Sequence, residues 1–339
     1  MRVTNNSISR LGASGLRINH AVVGTMLLGK VGYENYNGVS DEAESIAILK
    51  QCYDAGLRTF DTADIYSAGN SERVIGEFLK QHNIPREDVV IMTKCYFRLA
   101  DRQGDSGKLQ FNDKGLSRKH ILDAVKDSVA RLGTYIDLLQ IHRYDPDVPD
   151  EEIMRALNDV VESGQVRYLG ASSMKLYQFI QLQHTAEKHG WHKFVSMQSM
   201  YNLIYREDER ELNEYCNKTG VGLIPWSPNA RGLLAVPSDS EKTKEKLKNT
   251  IANSFLGIDM EHDKVIIDRV EEISNKIGCT MVEVACAWLI AKGTHPIIGV
   301  TSRDAIEPMV KLTEIKLTEE QVKYLEEPYR TKAPAWVPR

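Results

Sequence analysis

The stretch "IDLLQIHRYDPDVPDEEIMRALNDVVESGQVRYLGAS", residues 136–172, decides the fold. It opens on an apolar run of strand length, "IDLLQIH" (136–142), and closes on another, "VRYLGAS" (166–172). Between them, "DEEIMRALNDVVESG" (150–164) spaces its apolar residues as a helix does, starts on an acid and ends in Gly, the expected chemistry of helix ends. Strand, amphipathic helix, strand is the β-α unit from which parallel sheets are built.

The same alternation runs along the chain in both directions. Further strands are predicted at "HAVVGTML" (20–27), "LRTFD" (57–61), "VVIMTK" (89–94), "KFVSMQ" (193–198), "VGLIPWS" (221–227) and "HPIIGV" (295–300). Helical patterns such as "DEAESIAILKQCYDAG" (41–56) and "SRKHILDAVKDSVARLG" (117–133) lie between strands. Eight units in 339 residues predict an α/β fold, a (β/α)8 TIM barrel rather than an open doubly wound sheet. "ISRLGASGLRI" (8–18) reads as an N-terminal β-hairpin, residues 235–262 as a long loop with helical content, and "RTKAPAWVPR" (330–339) as irregular. No linker divides the chain, so residues 1–339 are expected to form a single domain with long loops at the C-terminal face of the barrel.

Composition narrows the function classes. The net charge is −4, the pI is about 6.2, and the most charged stretch, "SEKTKEKLKNT" (240–250), mixes both signs. It reads as a solvated helical face, and no nucleic-acid partner is expected. No apolar run reaches the ~18 residues of a membrane span, and "MRVTNNSISRLG" lacks the apolar centre of a signal peptide. Five scattered cysteines (Cys52, Cys95, Cys216, Cys279, Cys286) without a C-x-x-C argue against a disulfide framework or structural zinc, and for a reduced, cytoplasmic setting.

In a barrel of this class the chemistry sits at the C-terminal strand ends. Reading those ends gives Asp61, Lys94, His142, Ser172 with Ser173, Gln198, Trp226 with Ser227, and Gly299 with Thr301. Singly, each has a bland reading: Asp61 a cap, Tyr66 a packed ring, Lys94 a snorkelling chain, His142 a hydrogen-bonded core histidine. An Asp, a Lys and a His ending three successive strands, with Tyr66 in "FDTADIYSAGNSE" (60–72), point jointly to chemistry. A phenol of pKa ~10 keeps its proton at neutral pH. An ammonium beside it favours the phenolate and lowers that pKa, and an aspartate would hold the ammonium in place. A neutral histidine could donate to the same substrate oxygen. Such a device protonates an oxygen that is becoming an alkoxide, and it suits carbonyl reduction once a hydride source is present.

The motifs "FDTADIYSAGNSE", "IMTK", "DLLQIHRYD", "VRYLGASSM", "YNLIYREDERE" and "IPWSPNARG" resemble the signatures of the aldo-keto reductases over about residues 8–327, in the right order. Within that superfamily the chain is most similar to the fungal aryl-alcohol dehydrogenase-like and versiconal hemiacetal acetate reductase-like branch. The resemblance implies a catalytic tetrad of Asp61, Tyr66, Lys94 and His142, with Tyr66 as general acid, and NADPH (NADP+) bound without a Rossmann fold. It further implies that Gly24, Thr25 and Met26 contact the nicotinamide ribose, and that Ser172, Ser173 and Gln198 hold the carboxamide. Trp226 would stack on the nicotinamide, and Ser227, Pro228, Asn229, Arg231 and Gly232 would follow the pyrophosphate. At the adenosine end, "GVTSRDAIEPM" supplies Gly299, Thr301, Ser302 and Arg303, but Ala305 and Met309 stand where relatives carry Gln and Asn. Arg303 is the basic residue left to meet a 2′-phosphate, which favours NADPH over NADH.

The expected partner is a small carbonyl compound. Tyr33, Tyr96, Phe97, Arg143, Tyr144 and Tyr201, in loops after the strand ends, are the candidate pocket residues, and their aromaticity points to aryl or bulky apolar carbonyls. Two other classes compete. One is an NADPH-binding regulatory subunit of the same fold, which NADPH-dependent turnover of an aromatic aldehyde would exclude. The other is a metal-dependent barrel hydrolase, which needs several His and carboxylates to converge. Only His142 ends a strand, and His189 and His192 in "HGWH" precede one.

Overall fold

Residues 136–172 fold as a strand, Ile136–Ile141, a helix, Asp150–Glu162, and a parallel strand, Val166–Ser172. The computed structural model describes residues 7–29, 41–99, 111–249, 253 and 257–334, and within them the same unit recurs. In chain order the strands are β1 (Ile8–Arg10), β2 (Arg17–Asn19), β3 (Val22–Gly24), β4 (Thr59–Asp61), β5 (Val90–Cys95), β6 (Ile136–Ile141), β7 (Val166–Ser172), β8 (Phe194–Gln198), β9 (Gly222–Leu223) and β10 (Ile297–Gly299). The first two form the antiparallel hairpin expected at 8–18.

The other eight pair in parallel in the order β10-β3-β4-β5-β6-β7-β8-β9. Two backbone hydrogen bonds then join the ends of that sheet, His295 N to Leu223 O at 2.9 Å and Ile297 N to Pro225 O at 2.8 Å. They close the cylinder beside β9, which is only two residues long. Pro225 interrupts it: having no N–H it can give nothing to a ladder, although its carbonyl still accepts from Ile297 and Trp226 N beyond it donates to Ser199 O at 3.0 Å.

The helices that follow these strands are α1 (Glu42–Asp54), α2 (Asn70–Gln81), α3 (Arg118–Leu132), α4 (Asp150–Glu162), α5 (Leu176–His189), α6 (Leu212–Thr219), α7 (Glu241–Leu247), α8 (Met260–Ile277), α9 (Met281–Ala291), α10 (Ile306–Lys311) and α11 (Glu319–Glu326). Capping chemistry sets several starts. The Asp41 carboxylate accepts from Glu44 N at 2.9 Å and the Ser117 hydroxyl from His120 N at 3.2 Å, while Gly133 ends α3 at φ +67°. Asp150, read as the start of its helix, lies just inside it: Pro149 occupies the cap, and the Asp150 carboxylate accepts from the Tyr144 hydroxyl at 3.1 Å. Residues 235–262 carry α7, as expected for a loop with helical content.

Side chains alternate along the strands between the barrel interior and the outer helical layer. Val22, Met92, Leu138, Ile224 and Ile297 fill the interior, while Ile91, Leu139, Ile141 and Leu169 join the larger core under the helices. By the same period of two, Lys94 follows Met92 inward, and Gln140 and His142 follow Leu138. The pleat therefore aims polar side chains inward at the C-terminal end of a cylinder whose lower part is apolar.

Candidate active site

Asp61, Lys94 and Tyr66 meet at that end of the barrel. Lys94 is 1% exposed and uses its ammonium three times: on Asp61 Oδ2 at 2.6 Å, on the Thr62 carbonyl at 2.8 Å and on the Tyr66 hydroxyl at 3.3 Å. An isolated buried ammonium would be costly, so its stability here depends on that carboxylate. Burial pulls the Lys94 pKa down, but Asp61 and Tyr66 outweigh it and hold it above the ordinary value.

Tyr66 stands at the head of a short 3-10 turn, Tyr66–Gly69, in which Ser67 (φ +47°) and Ala68 (φ +55°) are left-handed without being glycine. Such residues are strained and need external anchors. The anchors are present: Ser67 Oγ donates to Leu28 O at 2.7 Å and Asn70 Nδ2 to Gly29 O at 2.8 Å. Nearby, Asp64 N donates to Lys94 O at 3.1 Å. The loop bearing the phenol is thereby fastened to both neighbouring strand ends.

The electrostatic outcome at Tyr66 differs from the simple expectation. Desolvation is the largest influence and raises the phenol pKa above 10.0, although Lys94 beside it acts to lower it. The tyrosine is protonated at neutral pH. Its oxygen accepts from Lys94, so the phenolic proton is left for a group in the pocket.

His142 faces the same space. Its ring meets Tyr66 edge-on at 6.1 Å between centroids and Phe97 at 4.9 Å. Burial first, then Lys94 and Arg143, pushes its pKa well below 6.5, so the imidazole is neutral. Its Nδ1 is buried without a hydrogen-bond partner. Arg143 Nη1 donates to the His142 carbonyl at 2.6 Å, and its guanidinium lies 5.6 Å from the Phe97 ring centre.

Gln140 was not singled out from the sequence. Its Nε2 donates to Asp61 Oδ1 at 3.1 Å, the oxygen to which Gln198 Nε2 also donates at 2.9 Å. In the sequence it is one of three polar residues in the run "IDLLQIH", with Asp137 and His142, and its alternation in step with His142 could have flagged it.

The residues aligned with cofactor contacts also assemble at this end. Ser173 (φ +48°) accepts from the Trp226 indole N–H at 3.1 Å and from Ser172 Oγ at 3.2 Å, so its hydroxyl orients the tryptophan. The Thr25 hydroxyl is buried on Asp61 O (3.0 Å) and Ser71 Oγ (2.8 Å), so that side chain supports the loop, while Met26 is exposed. After Trp226 the chain turns through left-handed Ser227, Ala230, Arg231 and Gly232, with Pro228 buried between them. Asn202 Nδ2 holds the Ser227 carbonyl at 2.9 Å, and Cys286 Sγ donates weakly to Asn229 Oδ1 at 3.7 Å. Arg231 is exposed, and Lys246 Nζ from α7 lies 3.0 Å from where a Cβ on Gly232 would stand. Two cations over a left-handed turn fit a pyrophosphate. Lys246 belongs to the stretch read as a solvated face, and only the folding of α7 over the turn reveals it.

At the far end, Gly299 faces open space, Thr301 is half-buried, and Ser302 and Arg303 are exposed. With the Gln51 amide oxygen turned toward it, Arg303 donates through Nε at 2.9 Å and Nη2 at 3.3 Å, so α1 supports the guanidinium. Met309 is buried in the core.

The candidate pocket residues divide. Phe97, Arg143 and Tyr96 cluster beside His142, with Tyr96 5.0 Å edge-on to Phe97. Tyr144 has its hydroxyl on Asp150, and burial pushes its pKa up to about 12. Tyr201 is a core residue, 3% exposed, packed 5.1 Å from Trp288 with its hydroxyl on Glu209. Its strand-end position hid this partner, supplied by the turn at Glu207–Arg210. Tyr33 lies outside the described residues.

The histidines of "HGWH" and the cysteines lie apart from this cluster. His189, the last residue of α5, stacks on Trp191 at 4.4 Å, and His192, between α5 and β8, pairs with Glu162 at 2.8 Å, both away from the C-terminal strand ends. All five cysteines are free, and burial pushes the Cys52, Cys216 and Cys286 thiols up to about 12, so they are protonated. A cavity of about 670 Å³ lined by Met174, Tyr177, Tyr205, Asp208 and Pro334 holds none of Asp61, Tyr66, Lys94 or His142.

Comparison with known proteins gives the same grouping. A family model described as "Aldo/keto reductase family" matches residues 22–330. An aryl-alcohol dehydrogenase-like protein of Schizosaccharomyces pombe is 51% identical over 94% of this chain and 94% of its own. The versiconal hemiacetal acetate reductase of Aspergillus parasiticus is 49% identical over 96% of this chain and 97% of its own. A thermostable aldo-keto reductase, solved with the inhibitor epalrestat, superposes with a TM-score of 0.73 at 29% identity, over 95% of this chain and 99% of that one. The closed eight-stranded barrel, its polar strand ends and these similarities lead to one conclusion: the chain belongs to the aldo/keto reductase family of oxidoreductases.

Proposed function

We propose that this protein reduces aldehydes or ketones to alcohols with NADPH, and that Tyr66 is the general acid. The observation that carries the reading is the Tyr66 hydroxyl, which accepts from Lys94 Nζ at 3.3 Å and so keeps its own proton for the pocket. The cofactor, when bound, supplies the hydride.

The chain's own groups supply the proton and its control. As a carbonyl oxygen gains negative charge, the Tyr66 O–H can donate to it, and the phenolate left behind stands beside the Lys94 ammonium. Asp61 keeps that ammonium charged and fixed. Neutral His142 is a second donor for the same oxygen, at no cost of burying a cation. General acid catalysis of this kind is typically worth ~10²–10⁴-fold.

NADPH binding would fall to the residues that the sequence aligned with it, joined by Lys246. Trp226, oriented by Ser173, would cover the nicotinamide, and Ser172 and Gln198 would take the carboxamide. Arg231 and Lys246 would meet the pyrophosphate, and Arg303, supported by Gln51, the 2′-phosphate. The Phe97 and Tyr96 rings beside His142 and the exposed Met26 side chain suit aryl or bulky apolar carbonyls.

The test is oxidation of NADPH, followed at the absorbance of the reduced cofactor, with a panel of aromatic aldehydes. Turnover is expected, and it should fall by ~10²–10⁴-fold in Tyr66→Phe with the Kd for NADPH nearly unchanged. Wild-type turnover in that variant would remove the assignment.

A further inference from the structure

Gln140 is fully buried and has no part in the chemistry described above. It lies in the barrel interior two residues before His142, paired in register with Lys94 on one side and Gly170 on the other. Its Nε2 donates to Asp61 Oδ1 at 3.1 Å, and its Oε1 accepts from Gln198 Nε2 at 2.8 Å. Gln198 Nε2 also donates to Asp61 Oδ1, at 2.9 Å.

One charge orients both amides. Asp61, paired with the Lys94 ammonium, is a carboxylate and can only accept. An amide facing it must turn its NH2 inward, and Gln140 does so. The Gln140 oxygen then faces Gln198 and can only accept, so Gln198 also turns its nitrogen inward and has both N–H groups engaged. The polar atom left to Gln198 is its oxygen.

The neighbouring strand makes room for this arrangement. A Cβ at Gly170 would stand 3.0 Å from Gln140 Cγ and 2.5 Å from Ser196 Oγ. Glycine is therefore required where the long Gln140 side chain crosses the interior.

We propose that Gln140 is a positioning residue that locks the Gln198 amide with its nitrogen on Asp61 and its oxygen toward the nicotinamide subsite. Gln198 then accepts a hydrogen bond from the carboxamide NH2 of the cofactor, and the carboxylate that holds Lys94 also fixes the cofactor's reactive ring. This rests on the proposed function, in which NADPH occupies the barrel mouth beside Tyr66.

The probe pair is NADP+ and its 3-acetylpyridine analogue, in which a methyl replaces the carboxamide NH2. The full-length wild-type protein should bind NADP+ about tenfold more tightly than the analogue, the size of one hydrogen bond lost to a buried acceptor. In Gln140→Met, which keeps the volume but removes both hydrogen bonds, the preference should narrow to about twofold. Binding of 2′-phospho-ADP-ribose, which has no nicotinamide, should stay as in wild type.

Equal wild-type affinity for the two dinucleotides overturns the proposal without recourse to any variant. An undiminished preference in folded Gln140→Met overturns it as well, and so does an equal loss of all three ligands, the mark of a merely structural plug. Wild-type turnover in Tyr66→Phe, with the dinucleotide preference intact, would strike the proposed acid and leave the role of Gln140 standing.

Discussion

The Lys94 ammonium stands 3.3 Å from the Tyr66 hydroxyl, yet the phenol still titrates above 10.0. Two opposed effects meet there. Burial penalises the phenolate, and the ammonium stabilises it, and in this pocket burial is the larger. Lys94 therefore limits the rise rather than producing a net fall. The sequence expectation had the right partner and direction of influence but lacked the desolvation that only burial imposes.

Lys94→Met follows from that balance. Removing the cation leaves desolvation and the Asp61 charge opposed only by the weaker influence of Arg143, so the Tyr66 pKa rises further and the phenol becomes a poorer acid. Reduction should slow by ~10²-fold or more, and the alkaline limb of kcat against pH should move to higher pH. A variant that melts lower but keeps the limb in place would show that Lys94 does not tune Tyr66.

Arg303→Ala should raise the Kd for NADPH by ~10–100-fold, as expected for a charge-assisted bond to a phosphate. The Kd for NADH, which has no 2′-phosphate, should stay within about twofold of wild type on the same basis. Gln51→Ala, which removes the support of the guanidinium, should move NADPH binding the same way by a smaller factor. Equal losses for both cofactors would show that Arg303 does not read the 2′-phosphate.

Ser173→Ala separates the ring end of the cofactor from the phosphate end. It removes the acceptor of the Trp226 indole N–H at 3.1 Å, a bond worth ~0.5–1.5 kcal/mol. Affinity for NADPH and NADH should fall together by ~2–10-fold, with a change in the Trp226 contribution to fluorescence. A change in the ratio of the two affinities would contradict this role.

Asp64→Asn should stabilise the fold at neutral and alkaline pH. Asp64 is 4% exposed and its Oδ1 has no hydrogen-bond partner. Burial, then the Glu72 carboxylate, raises its pKa well above 3.8. The folded state thus holds this proton more tightly than the unfolded state, so stability drains away as pH rises from the unfolded value through the folded one. The variant should gain ~1–3 kcal/mol at pH 8, and the gain should vanish toward pH 3. Thermal melting across that range is the check, and a variant less stable at every pH would be the contrary result.

Much of this protein follows from local pattern. Alternation with period two, interrupted by helical stretches, is a property of the chain itself, and it placed eight strands and their polar ends. Asp61, Lys94 and His142 were legible together, because three successive apolar runs that each end in an ionisable residue have few other readings. Partners distant in sequence were not legible. Gln140 meets Asp61 across 79 residues and Gln198 across 58, Trp226 finds Ser173 across 53, and Lys246 reaches Gly232 only because α7 folds back over the turn. Left-handed Ser67 and Ala68 carry no sequence signal, since neither is glycine, and their backbone is imposed by anchors on Leu28 and Gly29. Tyr201 looked like a pocket residue until Glu209 and Trp288 claimed it. Periodicity says which face a side chain takes, because that depends on backbone geometry within a few residues. Only closure of the barrel, through bonds such as His295 N to Leu223 O, decides which side chains share that face, and with them the pKa values and orientations on which the chemistry depends.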